Sequence, residues 1–382
     1  MLTQNQPIPE QINTLGECLL ENDQIQEALS LFEIAARREP GNGQYINNLA
    51  IARFQSGDLY GAISGLEAAL RCEGDKRLFT LNYADLARTR PRLLRSGLKV
   101  CQDHLDRYGP DSEVSRVADL IEQEIETADR EFCEALAAMP VHTMLKVNGA
   151  AEPVHLVEMG EKLADIIQEN LECLSDARTV LDFGVGIGRV LWPLSQRLPG
   201  ARFIGFDVDP MMLTNLAGVE ALADTEYVYT THEIPDNSVD AAYVISVFTH
   251  LAHTTDYWLW ELNRVLAPGG RAFITYHDET LYDELRKKVG GTLTFTGRTT
   301  IGRCTEGSTN MGTYYETEEW ERTVGRFFKI IRTVPRGLGG HQSFSVLEKG
   351  EVSVDSLAIH RTYMRDLEAE LYKMRDAVDL EI

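Results

Sequence analysis

The stretch VLDFGVGIGRVLWPL, residues 180–194, places three glycines at alternate positions directly after an aspartate and a short apolar run. Glycine costs conformational entropy within a regular element, so such a cluster marks a place where the backbone turns sharply or lets another group come close. The apolar residues before the glycines predict a strand, and those after them predict a helix. The stretch therefore predicts a strand, a tight turn and a helix, with a ligand near the turn.

Asp207 adds a reason to expect a ribose in that ligand. It ends the next apolar run, RFIGFD at 202–207. In parallel α/β sheets ligands bind beyond the carboxyl ends of the strands, where a carboxylate can accept both hydroxyls of a ribose. The spacing G-V-G-I-G differs from the G-x-G-x-x-G fingerprint of dinucleotide sites. The residues thus predict a nucleoside ligand; a dinucleotide oxidoreductase and a plain strand–helix junction are the weaker alternatives.

Residues 160–350 alternate β-branched apolar segments with helical ones, which predicts a parallel sheet covered on both faces. The expected fold class is α/β, with a Rossmann-like, doubly wound, mostly parallel sheet that ends in an antiparallel hairpin. Helices are expected to begin near Gly188, Pro210 and Thr255. The predicted strands are TVLDF (179–183), RFIGFD (202–207), YVYTT (227–231), DAAYVISV (240–247) and RAFITYH (271–277), and the hairpin is FFKIIRTVP (327–335) with HQSFSVLEK (341–349).

Residues 1–111 contain an internal repeat of 34 residues, which predicts an all-α domain of helical repeats. Small residues in the pattern allow one helix to pack closely against its partner. The pattern resembles the tetratricopeptide signature, with a looser third copy up to Pro110, and a generic helical bundle is the alternative. The matching positions are Leu15, Ala28, Phe32, Ala35 and Pro40, which recur as Leu49, Ala62, Leu66, Ala69 and Gly74.

Two further segments are predicted to be mainly helical. Residues 112–159 have apolar positions at helical spacing on both sides of a loop, and are expected to form a connector. Residues 351–382 keep an apolar rhythm of 3.5 residues among charges. That pattern predicts a C-terminal amphipathic helix, which either pairs as a short coiled coil in a homo-oligomer or lies back on its own domain.

Composition narrows the function classes. The chain of 382 residues has 37 basic and 59 acidic residues and a net charge of -22, so we expect no nucleic-acid partner. Five basic residues between Arg88 and Lys99 form a local exception, interpreted as a solvated helix face or as a docking patch for an acidic partner. The six scattered cysteines show no metal-ligand spacing and are interpreted as buried, reduced residues. No secretory signal or membrane span is visible, so we expect a cytoplasmic protein.

The α/β segment resembles the class I S-adenosylmethionine-dependent methyltransferases. VLDFGVGIG (180–188) is similar to their first motif, and FIGFDVDPMML (203–213) is similar to their second. TTHEIPDNSVDAAYVISVFTHL (230–251) resembles the segment with the adenine-contacting corner and the fourth strand. WLWELNRVLAPGGRAFITYH (258–277) resembles the following helix, turn and fifth strand. The resemblance covers about 160–350 and implies S-adenosylmethionine as cofactor.

The resemblance also implies a role for individual residues. Asp182 and the backbone of the glycine turn would hold the methionyl part, Asp207 the ribose hydroxyls, and Val208 the adenine. Thr230 and Thr231 stand where relatives often have Asp-Ala, so a side-chain contact to the adenine amine is not implied. Ser246 would lie beneath the sulfonium. The full set of implied cofactor residues is Asp182, Phe183, Gly184, Gly186, Gly188, Asp207, Val208, Thr230, Thr231 and Ser246.

The expected reaction is methyl transfer, for which a hydroxyl acceptor requires a base. His277 and His250 are the best-placed candidates, because a histidine titrates near neutral pH, and His341 and His253 are weaker ones. Each is otherwise a packed or capping residue. A loose resemblance to methyltransferases of bacterial glycan synthesis favours a saccharide hydroxyl, and a small metabolite comes next. The helical repeats would dock a protein partner or the substrate. The alternative function is a scaffold that binds the cofactor without turnover.

The insertion at 292–320 lies between the predicted last helix and the hairpin, and it is rich in Gly and Thr. Long insertions above such sites often act as substrate-binding lids. Tyr314 and Tyr315 would stack on a sugar or an aromatic acceptor, or would pack internally. Arg298 and Arg303 would suit an anionic acceptor.

Overall fold

The fold was determined as a computed structural model, which describes residues 8–140, 153–289, 295–302, 306–307 and 311–352, together with Ile359 and Tyr363. The contacts divide the chain into two compact units. The first comprises the residues up to Glu134 with 194–201 and 220–222, and the second comprises the remainder.

The N-terminal part of the first unit is a series of antiparallel helix pairs. Neighbouring helices pack in chain order, the first against the second, the third against the fourth and the fifth against the sixth. A longer helix follows. The helices are α1 (Pro9–Glu21), α2 (Ile25–Arg38), α3 (Gly43–Gln55), α4 (Leu59–Arg71), α5 (Lys76–Ala87), α6 (Leu94–Tyr108) and α7 (Ser112–Ala138).

Small residues allow these helices to approach closely, as the repeat pattern predicts. Ala28 and Ala62 are fully buried. A Cβ atom added to Gly65 of α4 would lie 2.8 Å from the Cβ of Ala50 on α3, so only glycine fits there. The all-α character of the N-terminal region is thus confirmed. Its assignment to the tetratricopeptide family stays a prediction.

The basic stretch of the first unit is paired internally. Arg88 donates to Glu124 at 2.6 Å, and Arg95 donates to Asp129 at the same distance. Arg92 is buried and donates to the carbonyl oxygen of Ala201 at 3.3 Å. Arg88, Arg90, Arg95 and Lys99 are exposed, which agrees with a solvated helix face, whereas Arg92 is buried and fits neither interpretation.

The second unit is built on a nine-stranded mixed sheet. Its main path has the order β3-β2-β1-β4-β5-β7-β6, and β9 pairs with both β5 and β8. Pairing is parallel from β3 to β5 and also between β5 and β7, while the other pairs are antiparallel. The strands are β1 (Thr179–Phe183), β2 (Arg202–Phe206), β3 (Glu226–Val228), β4 (Val239–Val244), β5 (Leu266–Asp278), β6 (Arg298–Ile301), β7 (Gly312–Tyr315), β8 (Phe328–Leu338) and β9 (Gln342–Lys349).

Helices join these strands and cover the sheet. Fully buried side chains from the strands and helices form the main core, including Leu181, Val244, Leu262 and Trp320. The helices are α8 (Pro153–Asn170), α9 (Leu191–Arg197), α10 (Pro210–Ala217), α11 (Thr255–Val265), α12 (Glu279–Val289) and α13 (Thr317–Val324). This arrangement confirms the expected α/β, Rossmann-like class with a terminal antiparallel hairpin.

Three sequence predictions need correction. β3 ends at Val228, so Thr230 and Thr231 belong to a following turn, with a short 3₁₀ helix over Thr231–Glu233. β5 begins at Leu266, five residues before the predicted start. The insertion contributes β6 and β7 to the edge of the sheet, because its backbone groups pair with the carboxyl end of β5.

Other expectations fall partly outside the described residues. The predicted C-terminal helix over 351–382 lies almost entirely there, as do Arg303, Cys304 and most of the predicted connector loop. Among the described cysteines, all of them free thiols, Cys101 is buried but Cys18 is exposed, so the expectation of uniform burial was wrong. None of the described helices combines the length and the apolar character that crossing a membrane requires.

Gly160 of α8 provides a test of the packing in the second unit. A Cβ at this position would lie 1.9 Å from the carbonyl oxygen of Arg189, a backbone atom that cannot move aside. We expect Gly160→Ala to lower the free energy of unfolding by about 1–3 kcal/mol, the usual cost of overpacking. Urea denaturation measures this. Gly200→Ala is the control, because its added Cβ has no atom within 4 Å, and equal stability of the two variants would contradict the prediction.

Candidate active site

The glycine turn after β1 requires glycine at each of its three positions. Gly184, Gly186 and Gly188 have φ angles of 87°, 54° and 73°. These values lie in the left-handed region, which residues with a Cβ atom rarely adopt because of steric strain. A Cβ on Gly184 would also lie 2.3 Å from Cγ2 of Val247, which follows β4. The turn therefore places bare backbone at the carboxyl ends of β1 and β4, and at Gly184 this backbone packs against Val247. Residues 184–188 are called the cradle below.

Asp207 fastens this turn to the end of β2. Its Oδ2 accepts a hydrogen bond from the Gly186 N–H at 2.9 Å, and its Oδ1 accepts one from the Asp209 N–H at 2.9 Å. Asp209 in turn caps α10 by accepting from the Met211 N–H at 3.0 Å. The carboxylate is thus held at the mouth of the cradle, half-buried and aligned by backbone donors.

Asp182 is the buried carboxylate of the site. It lies in β1 directly before the turn, and Oδ2 accepts a hydrogen bond from the hydroxyl of Tyr243 on β4 at 2.8 Å. Burial raises the pKa of Asp182 to about 7, and the nearby charge of Asp207 acts in the same direction. The Tyr243 hydroxyl and the Arg189 guanidinium act in the opposite direction. Sequence reasoning missed Tyr243, because a tyrosine within an apolar strand is indistinguishable from a packing residue.

Three large apolar side chains near Asp207 are left exposed. Val208, Met211 and Tyr229 are 63%, 57% and 67% exposed. Such residues are normally covered, and together they offer an apolar surface beside a carboxylate. Tyr229 directly precedes Thr230, which caps the following 3₁₀ turn by accepting from the His232 N–H at 3.3 Å. The surface suits a planar base whose sugar reaches Asp207.

Two of the predicted cofactor residues point elsewhere. The ring of Phe183 lies 4.7 Å from that of Phe206 and 5.7 Å from that of Trp258. Its side chain therefore belongs to the core, and only its backbone faces the cradle. Thr231 is also buried, and its carbonyl oxygen accepts from Arg264 at 2.7 Å. Packing against Phe206 and Trp258 decides the direction of the Phe183 ring, and Arg264 of α11 holds the backbone of Thr231.

Ser246 follows β4 in a left-handed conformation, with a φ of 61°. Its N–H donates to Oγ1 of the buried Thr275 on β5 at 2.8 Å, and its hydroxyl accepts from the Gln342 amide at 2.8 Å. A non-glycine residue in this region is strained and persists only where neighbours enforce it. β5 and the hairpin therefore fix the loop that borders the cradle next to Gly184.

His250 has a fixed ring orientation. Its Nδ1 lies 2.6 Å from the carbonyl oxygen of Met311, which directly precedes β7. A carbonyl oxygen can only accept, so Nδ1 carries the proton and the neutral ring keeps its lone pair on Nε2. This backbone contact orients His250 in the way that a base is oriented by a partner on its other nitrogen.

His277 lies at the carboxyl end of β5, paired in register with Tyr314 of β7. The two rings stack with centroids 5.0 Å apart. Within the described part of the chain, Nδ1 of His277 is buried without a hydrogen-bond partner. Burial lowers the pKa of His277 to about 4, and His250 adds to the effect. His277 is therefore neutral at pH 7 and presents an unsatisfied polar atom.

The remaining candidates lie in less suitable surroundings. His253 and His341 are exposed. Tyr315 is fully buried, and its hydroxyl shares a hydrogen bond with Thr255 at 3.1 Å, so it is a packing residue. Arg298 is exposed, with its guanidinium 6.0 Å from the ring centroid of Tyr315. Among the described residues no cluster has the composition of a metal site.

The groups at the cradle suit S-adenosylmethionine by their chemistry. Gly184, Gly186 and Gly188 hold the turn in a left-handed backbone without side chains. Asp182 provides a buried carboxylate for an ammonium group, and Asp207 provides one for vicinal hydroxyls. The exposed apolar surface at Val208 completes a set that matches an amino acid, a ribose and a base.

The depressed pKa of His277 predicts a pH-dependent contribution to stability. The unfolded chain binds a proton at this residue below its ordinary pKa of about 6.5, whereas the folded chain does so only near pH 4. The contribution of His277 to the free energy of unfolding is therefore fully present above about pH 6.5 and is lost as the pH falls toward about 4. Between about pH 7 and about pH 5, the free energy of unfolding of His277→Gln should fall by about 1–2 kcal/mol less than that of the unsubstituted protein. Urea denaturation at both pH values measures this.

His341→Gln is the control for that experiment, because the exposed ring of His341 has no comparable environment. It should lose as much stability as the unsubstituted protein. An equal loss in His277→Gln would show that His277 is not the group that titrates.

Comparison with known proteins identifies the segment that carries this site. Residues 181–272 match the family model described as a methyltransferase domain. The match begins within β1, ends within β5 and includes the glycine turn, Asp207, Ser246 and His250. The match thus lies within the parallel part of the sheet from β1 to β5.

Solved structures of methyltransferases also resemble the chain. The 1,6-didemethyltoxoflavin-N1-methyltransferase of Burkholderia thailandensis with S-adenosylhomocysteine is 18% identical, covering 50% of this chain and 79% of that one, with a TM-score of 0.36. The glycopeptide N-methyltransferase MtfA with S-adenosylhomocysteine is 12% identical over 49% and 89%, with a TM-score of 0.38. An O-methyltransferase family protein from Burkholderia thailandensis is 15% identical over 51% and 57%, with a TM-score of 0.37.

The assignment rests on the family match together with the strand order and the glycine turn. The chain therefore carries a methyltransferase domain of the class I type, and the cofactor of this domain is S-adenosylmethionine.

Proposed function

We propose that this protein transfers a methyl group from S-adenosylmethionine to a hydroxyl of a saccharide or another small molecule, with His250 as the base. The observation that carries the proposal is the adjacency of two half-sites. A cradle for the cofactor lies at the carboxyl ends of β1, β2 and β4, and an oriented histidine follows β4. We further propose that the protein works in the cytoplasm.

In this proposal the cofactor residues have distinct tasks. Asp182 binds the ammonium group of the methionyl part, and the backbone at Gly184 and Gly186 lies along it. Asp207 accepts the ribose hydroxyls, and Val208 packs on the adenine. Ser246 borders the methyl group. The support for these roles is the burial of Asp182, the left-handed turn and the exposed apolar surface.

The acceptor side uses the two histidines. When bound, S-adenosylmethionine supplies an electrophilic methyl group whose sulfur leaves as a neutral thioether. His250 would take the proton of the acceptor hydroxyl on Nε2. His277 stays neutral and holds the acceptor by a hydrogen bond at its unsatisfied Nδ1, while Tyr314 stacks behind it. A protonated His277 would repel the sulfonium, so its low pKa favours the reaction.

Cofactor binding tests the first half of the proposal. We expect the purified protein to bind S-adenosylmethionine with a Kd on the order of micromolar, and NAD not to bind. Asp207→Ala should weaken binding about 100-fold, because the ribose hydroxyls lose the carboxylate that accepts their two hydrogen bonds. Calorimetric titration measures this, with Glu220→Ala as a control that removes one exposed carboxylate. Absence of binding at millimolar ligand would refute the proposed function.

Turnover tests the second half. We expect His250→Gln to lower kcat by about 10²–10⁴-fold, the usual contribution of a general base, with the Kd of S-adenosylmethionine unchanged. The assay follows a deuterated methyl group from the cofactor into a panel of saccharides and small hydroxyl metabolites by mass spectrometry. His253→Gln, an exposed histidine of the same segment, is the control. Cofactor binding without transfer to any acceptor would favour the scaffold function instead.

For the rest of the chain we propose the following division. Residues 1–111 are tetratricopeptide-like repeats that dock a protein partner or the substrate. Residues 112–159 connect these repeats to a methyltransferase domain at 160–350, and residues 351–382 form a helix able to join two copies.

An amide network across the repeats supports docking of a polar ligand. The side-chain amide of Asn48 donates to Asn13 at 3.1 Å, and that of Asn82 donates to Asn47 at 2.9 Å.

Docking by the repeats predicts a separation of binding from turnover. Asn48→Ala should leave the Kd of S-adenosylmethionine unchanged and raise the KM of the acceptor about tenfold, the effect of about 1.4 kcal/mol. Steady-state kinetics with an acceptor from the panel measures this. An unchanged KM would argue against a role of the amide network in binding the acceptor.

A further inference from the structure

Tyr243 and Asp182 form a buried pair at the floor of the cofactor cradle. They occupy the same register position on the parallel strands β4 and β1, and their side chains meet in a hydrogen bond of 2.8 Å. Tyr243 is fully buried and Asp182 is 5% exposed. A phenol with a packing role alone has no reason to point at a carboxylate, whose burial costs free energy unless it is compensated.

Few other groups compensate this carboxylate. Arg189 follows the glycine turn and interacts favourably with it, whereas Asp207 beyond β2 opposes its charge. Tyr227 on β3 is a more distant neighbour, whose ionisation Asp182 disfavours. Burial itself lowers the pKa of Arg189 to about 10, so that cation is also costly. The Tyr243 hydroxyl is thus the direct donor that stabilises the ionised form of Asp182.

We propose that Tyr243 is a positioning residue for the cofactor: its hydroxyl aims the Asp182 carboxylate at the ammonium group of the methionyl moiety and favours the ionised form of that carboxylate. This inference rests on the role of Asp182 in the proposed function. Tyr243 contacts the carboxylate from inside the sheet and leaves the other oxygen for the ligand.

The sign of the pH dependence follows from the charge that the ammonium group needs. Asp182 has a pKa of about 7, so it is largely protonated at pH 6. An ammonium group binds the ionised carboxylate, so below pH 7 binding must first release the proton to the buffer. Affinity therefore falls by roughly tenfold per unit of pH below 7. Loss of the Tyr243 hydroxyl removes a donor to the carboxylate, which raises the pKa further and moves the dependence to higher pH.

A pair of ligands isolates the ammonium group from the rest of the cofactor. S-adenosylhomocysteine and 5′-methylthioadenosine share the nucleoside and a neutral thioether, but only the former has the amino-acid end. Because neither has a sulfonium charge, protonation of His250 or His277 affects the two ligands alike. The ratio of their affinities therefore reports on the amino-acid end of the site.

The experiment is calorimetric titration of both ligands between about pH 5.5 and about pH 8 on the full chain. In the unsubstituted protein, the affinity for S-adenosylhomocysteine should fall below pH 7 with release of nearly one proton, read from buffers of different ionisation enthalpy, while that for 5′-methylthioadenosine stays within about twofold. Tyr243→Phe should raise the Kd of S-adenosylhomocysteine about tenfold at pH 7 and leave the Kd of 5′-methylthioadenosine unchanged.

Two further variants keep the result interpretable. Asp182→Asn has the same shape without the charge, so its binding of S-adenosylhomocysteine should be weak and independent of pH. Tyr83→Phe removes another buried tyrosine hydroxyl, which donates to Ser96 at 3.3 Å in the helical repeats. This variant should change the Kd of neither ligand.

The outcomes separate the two proposals. If Tyr243→Phe and the unsubstituted protein give the same Kd and the same pH profile for S-adenosylhomocysteine, Tyr243 is not a positioning residue. If Tyr243→Phe raises the Kd of both ligands equally, the hydroxyl of Tyr243 acts only on the fold. That result also overturns the inference. If neither ligand binds the unsubstituted protein at any pH, the proposed function itself fails.

Discussion

The left-handed backbone between β1 and α9 is the constraint on which the site depends. Three residues within five have positive φ angles, and only glycine adopts them without strain. The turn stays compact because the Gly184 and Val185 N–H groups both donate to the carbonyl oxygen of Phe206 at the end of β2. Asp207, the next residue, holds Gly186. One strand end therefore fixes the shape of the loop that follows its neighbour, and the cradle is formed before any ligand arrives.

The same sheet imposes a cost on the site, namely a carboxylate buried at its centre. A charge removed from water must be paired or hydrogen-bonded, and here the partners come from two different segments of the chain. Tyr243 reaches Asp182 from the adjacent strand, and Arg189 acts from the helix side of the glycine turn. The arrangement leaves Asp182 near its midpoint of protonation at neutral pH, so a cationic ligand must displace the remaining proton when it binds.

β5 organises the surroundings of His250 and His277, because it is long enough to have two neighbours on one edge. Most of its length pairs with β9, and its last residues pair with β7 instead. This exchange brings Tyr314 beside His277 and places the backbone before β7 next to His250. The insertion thus contributes a strand and a hydrogen-bond acceptor to the site, a more direct role than that of a covering lid.

The sequence by itself determined the class of the fold and predicted a cofactor site at the glycine turn. Glycines at alternate positions and an aspartate after the next apolar run are local features, and their backbone requirements hold wherever the segment lies. The alternation of apolar strands and helices likewise predicts a covered parallel sheet. These features predicted Asp182, Gly184, Gly186 and Asp207 as cofactor residues without knowledge of any long-range contact.

The tertiary structure alone decided which distant residues meet. The contact of Tyr243 with Asp182 depends on the register of β1 against β4, two strands 61 residues apart at this pair. Register is set by the packing of whole strands against the core, which no local pattern encodes. The same applies to Phe183, whose ring turned into the core, and to the contact of His250 with Met311. Sequence pattern specifies what each segment can form, but side-chain partners across the sheet follow only from how the segments pack.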